Sequence, residues 1–290
     1  MWRMYLTALM WGFNWTAVKV LLATSSPWTL RAAGLIGGAM LLAAFTRASG
    51  QSLAIPRAAW HHVVVAGMLN VACFNLFSTF AQLAMPASRA AILAFTMPFW
   101  ATLFGWLFLD ETVDRRRAVA LAIGALGIMI LSSAFWSQIA GGHLPLGLVY
   151  VMAAAITWAA GTVYLKAHRI AAAPLALATW QVAVAAVAVT LGAVLFETPH
   201  FDISTPTLTA AFVYHVIFPQ AFAYVLWFGL IQRVSAATAS IGTLLVPVVG
   251  VIGAMLFLGE QPTAADFAGF ALLFIAVQTD QVLRSKPAPA

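Results

Sequence analysis

The sequence predicts an all-α polytopic membrane protein, with ten transmembrane helices arranged as two inverted five-helix repeats around a central cavity. Three observations predict this fold class: the composition, a long-range internal repeat and the distribution of basic residues. Hydrophobic residues make up 63% of the 290-residue chain, charged residues make up 8%, and the mean hydropathy is +0.96. Because soluble domains carry about 25% charged residues, lipid must be the main solvent of this chain.

Ten apolar windows, bounded by proline, glycine and charge clusters, account for nearly the whole chain. Each is about 20 residues long, which is the length of helix that crosses roughly 30 Å of hydrocarbon. The predicted helices lie at about residues 3–23, 28–46, 59–82, 87–108, 116–134, 145–165, 173–196, 207–231, 236–257 and 264–283. No small-residue cleavage site follows the first window, so we expect an uncleaved helix there.

The chain also resembles itself at an offset of 149 residues. At this offset Pro98 and Glu111 align with Pro247 and Glu260, and the stretch WLFLDE corresponds to MLFLGE. Near the same offset, WGFNWTAVK of the first predicted helix matches WAAGTVYLK of the sixth. Because each repeat holds an odd number of helices, the second must be inverted in the membrane. We expect one repeat over residues 1–140 and the other over residues 141–290.

The basic residues predict the orientation of the chain. With a cytoplasmic amino terminus, 11 of the 14 basic residues fall on the inside, Lys19 lies within the first helix, and only Arg31 and Arg89 fall outside. Membrane proteins commonly carry such an excess of basic residues in cytoplasmic loops, so both termini are expected in the cytoplasm. The basic residues form no continuous stripe, which argues against nucleic acid as a partner.

Polar and aromatic side chains at mid-membrane depth are candidates for binding a solute, because polar groups are costly in lipid. A hydrogen bond to a neighbouring helix is the alternative for each polar group. Tryptophans usually favour the membrane interfaces, so those near mid-depth indicate an aromatic-walled cavity, with core packing as the alternative. The candidates are Asn14, Trp15, Asn70, Asn75, Ser78, Trp100, Trp158, Tyr214, Gln220 and Tyr224.

Two prolines lie at the midpoints of the fourth and ninth predicted helices. Pro98 and Pro247 cannot donate a hydrogen bond to the carbonyl groups of Ala94 and Thr243, four residues earlier. We expect both prolines to act as hinges. The freed carbonyl groups could instead accept a hydrogen bond from an ammonium group or from water.

Three further titratable residues are candidates with two open interpretations each. Lys19, near the outer end of the first helix, and Lys166, at the inner end of the sixth, occupy matching places in the repeats. Either they extend to the lipid headgroups, or each attracts a carboxylate at one mouth of a solute pathway. His215 is a candidate proton site, with a neutral, hydrogen-bonded histidine as the alternative.

The absence of mid-membrane acidic residues and of catalytic motifs limits the mechanisms that the sequence can support. Every Asp and Glu lies in a loop or within about two turns of a predicted helix end, whereas ion-coupled pumps commonly use intramembrane acids. This distribution favours facilitated diffusion or exchange. The chain contains no P-loop, HExxH or CxxC pattern, so the sequence predicts no ATP hydrolysis, no metal, no cofactor and no enzyme, although scattered catalytic groups would escape this search.

Small residues predict where helices approach closely. Gly34 and Gly38 form a small-xxx-small pair in the second predicted helix, and Ala120, Gly124 and Gly127 follow a similar spacing in the fifth. The fifth and tenth helices lack mid-membrane polarity. We therefore expect these two helices to pack against lipid or to form a homodimer interface.

Together these residues resemble the drug/metabolite transporter superfamily, in particular the ten-helix EamA-type exporters. The resemblance covers nearly the whole chain. It rests on WGFNWTAVK and WAAGTVYLK, the stretch PWTLR at residues 27–31, and the helix endings FLDE and FLGE. Gly124 and Gly127 also fit the pattern, whereas the second repeat has Leu273 and Ala276 in their place. The aromatic wall is most similar in character to the YddG-type aromatic amino acid exporters.

The resemblance implies a cavity lined by the first, third, fourth, sixth, eighth and ninth helices. It also implies a secondary transporter of the bacterial inner membrane that exports aromatic and other neutral amino acids by alternating access without ATP. Its partners are then a small-molecule solute and the lipid bilayer. An exporter of drugs or another metabolite is the alternative within the superfamily. A membrane-embedded enzyme or receptor subunit is the alternative from another class, since fold does not determine function.

Overall fold

The computed structural model describes residues 2–109, 115–226 and 245–284, and the regular elements in these ranges are helices. Among these residues, seven helical segments are long and apolar enough to cross a membrane, and two shorter apolar helices follow near the carboxyl end. The amino-terminal helix, Trp2–Leu21, is the tenth long helix. The ten helices are α1 (Trp2–Leu21), α2 (Pro27–Ala48), α3 (Arg57–Ala84), α4 (Ala87–Phe108), α5 (Arg115–Ser132), α6 (Leu146–Ala167), α7 (Pro174–Phe196), α8 (Pro206–Leu226), α9 (Leu245–Leu258) and α10 (Ala264–Arg284). The predicted fold class is confirmed.

The helix bounds agree with the predicted windows to within a few residues wherever they are described. Three helices start at a proline, Pro27, Pro174 and Pro206, because the first helical position needs no N–H donor and suits the fixed φ of proline. Predicted residues 227–231 and 236–244, which include Thr243, lie outside the described residues.

Three helices are less regular than the sequence suggested. α3 contains a π-helical segment at Gly67–Cys73, and α8 contains one at Phe218–Phe222. These two segments lie close to the 149-residue offset from each other. α4 consists of two α-helical segments, Ala87–Ala94 and Met97–Phe108, with a turn between them. Such interruptions often occur at functional sites, because they redirect side chains and free backbone groups.

The main contacts between helices join the two repeats. α2 packs on α7, α4 on α9, and α5 on α10. In addition, α1 packs on α8 and α9, while α6 packs on α3 and α4. Exchanging every helix for its equivalent in the other repeat leaves this set of pairs unchanged, as two inverted repeats require.

The contact between α5 and α10 corrects one expectation. A Cβ on Gly127 would lie 3.1 Å from the carbonyl oxygen of Gly269, and one on Gly124 would lie 2.9 Å from the ring of Phe99. The small-residue face of α5 therefore packs within the chain, not against lipid or another subunit. A homodimer that uses the outer faces of these two helices stays a prediction.

The close approach expected at Gly34 and Gly38 is confirmed. Gly34 faces the imidazole ring of His215, and a Cβ on Gly38 would lie 2.7 Å from the Cβ of Gln220. Without side chains at these two positions, α8 can press against α2. The two polar side chains of α8 are thereby buried inside the helix bundle.

Two glutamates form hydrogen bonds between helices at one face of the bundle. We call this face, where α1 ends, the distal face. Glu197 follows α7 and accepts hydrogen bonds from the backbone N–H groups of Trp28 (3.3 Å) and Thr29 (2.6 Å). Glu260 follows α9 and accepts from the N–H groups of Ala87 (2.7 Å) and Ser88 (2.8 Å). Each carboxylate therefore satisfies free N–H groups at the start of α2 or α4 and complements the helix dipole.

Candidate solute-binding site

A cavity of about 300 Å³ lies between the two repeats. Side chains of α1, α2, α3, α4, α6, α8 and α9 form its wall, so all six expected helices contribute and α2 is an addition. The polar lining residues are Asn14, Arg31, Asn75, Ser78, Gln82, Thr162 and Gln220. The aromatic lining residues are Trp11, Trp15, Phe74, Phe95, Trp158 and Tyr224. Ligand pockets commonly span about 300–1,000 Å³, so this cavity suits a small organic molecule.

Seven of the ten sequence-derived candidates lie on this wall. They are Asn14, Trp15, Asn75, Ser78, Trp158, Gln220 and Tyr224. They come from both repeats, from α1, α3, α6 and α8, and the fold brings them together around one space. The hinge candidate Pro98 also lines the cavity.

Asn70 and Trp100 lie away from the cavity. Asn70 packs against Gly161 and donates from Nδ2 to Oε1 of Gln181 at 3.4 Å, so it joins α3 to α6 and α7. The indole N–H of Trp100 donates to the hydroxyl of Thr96 at 3.2 Å, within α4. Nδ2 of Asn70 and the indole N–H of Trp100 thus bond between or within helices, as the alternative interpretation has it, whereas Oδ1 of Asn70 has no partner among the described residues.

Tyr214 also lies outside the cavity wall. Its hydroxyl donates to the carbonyl oxygens of Leu9 (3.2 Å) and Met10 (2.9 Å) and so joins α8 to α1. Tyr214 precedes His215 directly, so the two side chains leave α8 in different directions. The packing of α8 against α1 and α2 decides which of the two side chains is buried beside Asn14.

Arg31 is the main functional candidate that the sequence analysis missed. Its placement in an outer segment is wrong: the side chain is 3% exposed and lines the cavity. Nε donates to the hydroxyl of Thr79, Nη1 donates to Oδ1 of Asn75 at 3.0 Å, and Nη2 donates to the hydroxyl of Ser78 at 3.4 Å. The signal was available, since Arg31 lies a full turn beyond the helix-starting Pro27.

The other outside residue, Arg89, is likewise part of a helix. It forms a bidentate ion pair with Asp266 of α10, at 2.7 and 2.8 Å. The same carboxylate accepts hydrogen bonds from the N–H and hydroxyl groups of Thr263. This pair joins α4 to α10 near the distal face and leaves the carboxylate no role in the cavity.

Gln82 is a second missed residue of the cavity wall. Its side chain is 1% exposed, and Oε1 has no hydrogen-bond partner among the described residues. Buried polar atoms without partners are uncommon in folded proteins. Gln82 therefore has an unsatisfied acceptor next to the cavity.

The two lysine candidates lie away from the cavity wall. Lys19 donates from Nζ to the backbone carbonyl oxygens of Gln82 and Met85, the latter at 3.2 Å, and so stabilises the carboxyl end of α3. Lys166 lies exposed in the last turn of α6, at the opposite face. Their assignment to pathway mouths stays a prediction.

The aromatic side chains meet edge to face. Phe74 and Trp158 have ring centroids 4.8 Å apart, and Trp11 and Tyr224 have centroids 5.8 Å apart. The indole N–H of Trp11 also donates to the carbonyl oxygen of Pro219, in the π-helical segment of α8, at 3.2 Å. Edge-to-face pairs favour fixed ring positions. The aromatic rings of the cavity wall are therefore held in defined orientations.

His215 lies one layer behind the cavity. It is fully buried, and its Nδ1 lies 2.7 Å from Oδ1 of Asn14, which does line the cavity. Nε2 faces Gly34 and has no hydrogen-bond partner among the described residues. His215 therefore contacts a residue of the cavity wall but does not line the cavity itself.

The two prolines occupy different surroundings. In α4 the helix is interrupted at Phe95 and Thr96, just before Pro98, and Phe95 and Pro98 both face the cavity. Pro247 is buried near the start of the described part of α9. The hinge role of both residues stays a prediction.

Comparisons with known proteins agree on the class of protein. The chain is 28% identical to the uncharacterized transporter YvbV of Bacillus subtilis, over 93% of this chain and 87% of that protein. It is 27% identical to a probable amino-acid metabolite efflux pump of Salmonella typhimurium, over 92% and 90% of the two chains. It is 25% identical to a probable terminal-alkyne amino-acid exporter of Streptantibioticus cattleyicolor, over 93% and 89%.

A solved crystal structure shares the fold, with a TM-score of 0.69 and 20% identity over 99% of this chain and 98% of the other. The sequence model of the EamA-like transporter family matches residues 2–133 and again residues 145–278. The two matches cover most of the chain, and the relatives are named as transporters and not as enzymes. The chain is therefore a membrane transporter and belongs to the EamA-like transporter family.

Proposed function

We propose that this transporter exports aromatic and other neutral amino acids across the bacterial plasma membrane, by alternating access without ATP. The observation that carries the proposal is a small cavity between the repeats, with aromatic rings and buried polar groups on one wall. Its volume suits a single amino acid. Two relatives whose names mention amino-acid efflux or export support the same solute class.

The shape of the cavity supports loading from the cytoplasm. Both termini are cytoplasmic in this proposal, so the distal face is the outer face. At that face hydrogen bonds join the ends of neighbouring helices, through Glu197, Glu260 and Lys19. At the other end of the cavity Thr162, near the end of α6, is exposed. These contacts support a cavity that is loaded from the cytoplasmic side.

Flux in liposomes tests the proposal. Vesicles that contain the purified protein and labelled phenylalanine, tryptophan, threonine or methionine should release label with saturable kinetics. Trp158→Ala and Tyr224→Ala should each weaken apparent affinity for phenylalanine about fivefold, because each removes an aromatic contact worth on the order of 1 kcal/mol.

Two control variants change the same residue types at positions that do not line the cavity. Trp100→Ala removes an aromatic ring that does not line the cavity, and Tyr214→Phe removes a hydroxyl that joins α8 to α1. Both variants should keep wild-type affinity. Flux that is absent for all four amino acids, with saturable flux of a dye or another metabolite, would replace the amino acid proposal with the alternative of drug or metabolite export.

A further inference from the structure

We infer that the distal end of the cavity is a head-group site for a zwitterionic α-amino acid, in which Arg31 binds the carboxylate and Gln82 accepts a hydrogen bond from the ammonium group. This inference rests on the proposed function and deepens it. Two buried polar groups on the same stretch of wall carry it. Neither has a complementary partner within the described part of the protein.

The first group is the guanidinium of Arg31. A guanidinium has five N–H donors. Three of them donate hydrogen bonds, all to neutral oxygens of Thr79, Asn75 and Ser78. One donor remains on each terminal nitrogen. Among residues 2–109, 115–226 and 245–284, no carboxylate forms an ion pair with Arg31.

A buried cation without an anion is costly, and a ligand carboxylate would remove that cost. The two remaining donors belong to one planar guanidinium, and such a group can bind a carboxylate through two parallel hydrogen bonds. The neutral partners hold the guanidinium in place without neutralising it. Arg31 therefore favours a solute that brings one negative charge.

The second group is the side chain of Gln82. Gln82 follows Ser78 by four residues and Thr79 by three on α3, so it lies about 5–6 Å from them on the same helix face. Gln82 lines the cavity, and its Oε1 is buried and has no hydrogen-bond partner among the described residues. It is an acceptor beside a donor, which matches the neighbouring ammonium and carboxylate groups of an α-amino acid.

Nearby charges do not compete for either group. Lys19 donates to backbone carbonyl groups at the end of α3, including that of Gln82, and its side chain does not line the cavity. Glu197 is held by the N–H groups of Trp28 and Thr29. The head-group site is thus left to the solute.

The remaining wall sets the orientation of the solute. Phe74 and Trp158 lie toward the other end of the cavity, with Tyr224 on the facing helix. A bound amino acid would place its head group toward the distal face and its side chain among these rings. A monoamine or a monocarboxylate of the same size would leave one of the two polar groups unpaired.

Competition binding with detergent-purified protein tests the site, using labelled phenylalanine and two unlabelled analogues. Phenylalaninamide lacks the carboxylate, and 3-phenylpropionate lacks the ammonium group. Each should bind the wild-type protein at least about tenfold more weakly than phenylalanine, because each loses a hydrogen bond to a charged group.

Two variants should separate the contributions. Arg31→Gln should weaken phenylalanine and 3-phenylpropionate but leave phenylalaninamide unchanged, and Arg31→Lys should restore part of the loss. Gln82→Leu should weaken phenylalanine and phenylalaninamide but leave 3-phenylpropionate unchanged. Gln181→Leu is the matched control, since Gln181 is a buried glutamine that contacts Asn70 away from the cavity.

The outcomes distinguish the site from the proposed function. If phenylalaninamide binds as tightly as phenylalanine, the head-group site is overturned while amino acid transport stands. If 3-phenylpropionate binds and no amino acid does, the proposed function fails and so does the role of Gln82, whereas that of Arg31 is supported. If none of the three binds, both proposals are overturned. The wild-type comparison decides even where Arg31→Gln fails to fold.

Discussion

Asn14 faces the cavity with an orientation that a buried neighbour determines. Its Oδ1 can only accept a hydrogen bond, so Nδ1 of His215, 2.7 Å away, must carry the proton. The Nδ2 group of Asn14 is then left for a solute. A second proton on His215 would lie at Nε2, which has no acceptor among the described residues. This geometry supports a neutral histidine that positions Asn14.

His215→Leu tests this positioning role. The variant removes the donor to Asn14, so the amide can rotate and lose its contact with the solute. We expect the KM for phenylalanine flux to rise several-fold, by about the 0.5–1.5 kcal/mol of one hydrogen bond, with the maximal rate retained. Tyr214→Phe, at the adjacent residue, is the control and should not change KM. An unaltered KM in His215→Leu would refute the positioning role.

At the scale of helices, the distal contacts link each repeat to the other. Glu260, after α9, caps the start of α4, and Glu197, after α7, caps the start of α2. In each case the two helices that the glutamate joins are equivalents in the two repeats. Alternating access requires these contacts to open when the solute leaves on that side. The repeat aligns Glu111 with Glu260, and Glu111 lies outside the described residues.

Glu260→Gln should shift the protein toward the state that is open at the distal face. The variant removes a charge at the start of α4, worth about 0.3–1 kcal/mol, so the open population should rise about two- to fivefold. The measurement is labelling of Ser78→Cys, in a Cys73→Ser background, by a membrane-impermeant maleimide applied from either side. Distal labelling should increase relative to Asp202→Asn, a distal carboxylate that caps neither α2 nor α4. Equal labelling in the two variants would exclude a gating role for Glu260.

For the whole molecule, the arrangement of charges argues against coupling to protons. No carboxylate lines the cavity within the described residues, and Asp266, which is 3% exposed, is paired with Arg89. Coupled carriers commonly use an acid that is exposed in turn to each side. The movement of the two repeats is therefore proposed to follow the solute gradient alone.

A pH gradient across liposome membranes should then leave the transport of phenylalanine unchanged. Unlabelled phenylalanine on the opposite side should accelerate the flux of label, because a loaded carrier returns through the same two states. Initial rates of label flux, measured with and without the pH gradient and with and without unlabelled phenylalanine, test both expectations. Accumulation of phenylalanine against its concentration, driven by pH, would contradict uncoupled transport and return His215 to consideration as a proton site.

The fold class could be predicted from the sequence alone, because the length and polarity of each segment dictate what can cross a bilayer. The sequence also indicated the repeat, through Pro98 and Pro247 and the paired FLDE and FLGE endings, and it identified seven residues that line the cavity. Helix periodicity places residues on faces, and Asn14 and Trp15 could be recognised from such a face.

Which face of each helix meets the cavity could not be predicted without the packing of the helices. Tyr214 points to α1 and not to the cavity, whereas Arg31, counted as an outer charge, lies on the cavity wall together with Gln82. The physical reason is that periodicity fixes directions around one helix axis but not the rotation of that helix against its neighbours. That rotation depends on contacts such as Gly34 against His215, which join residues far apart in the chain.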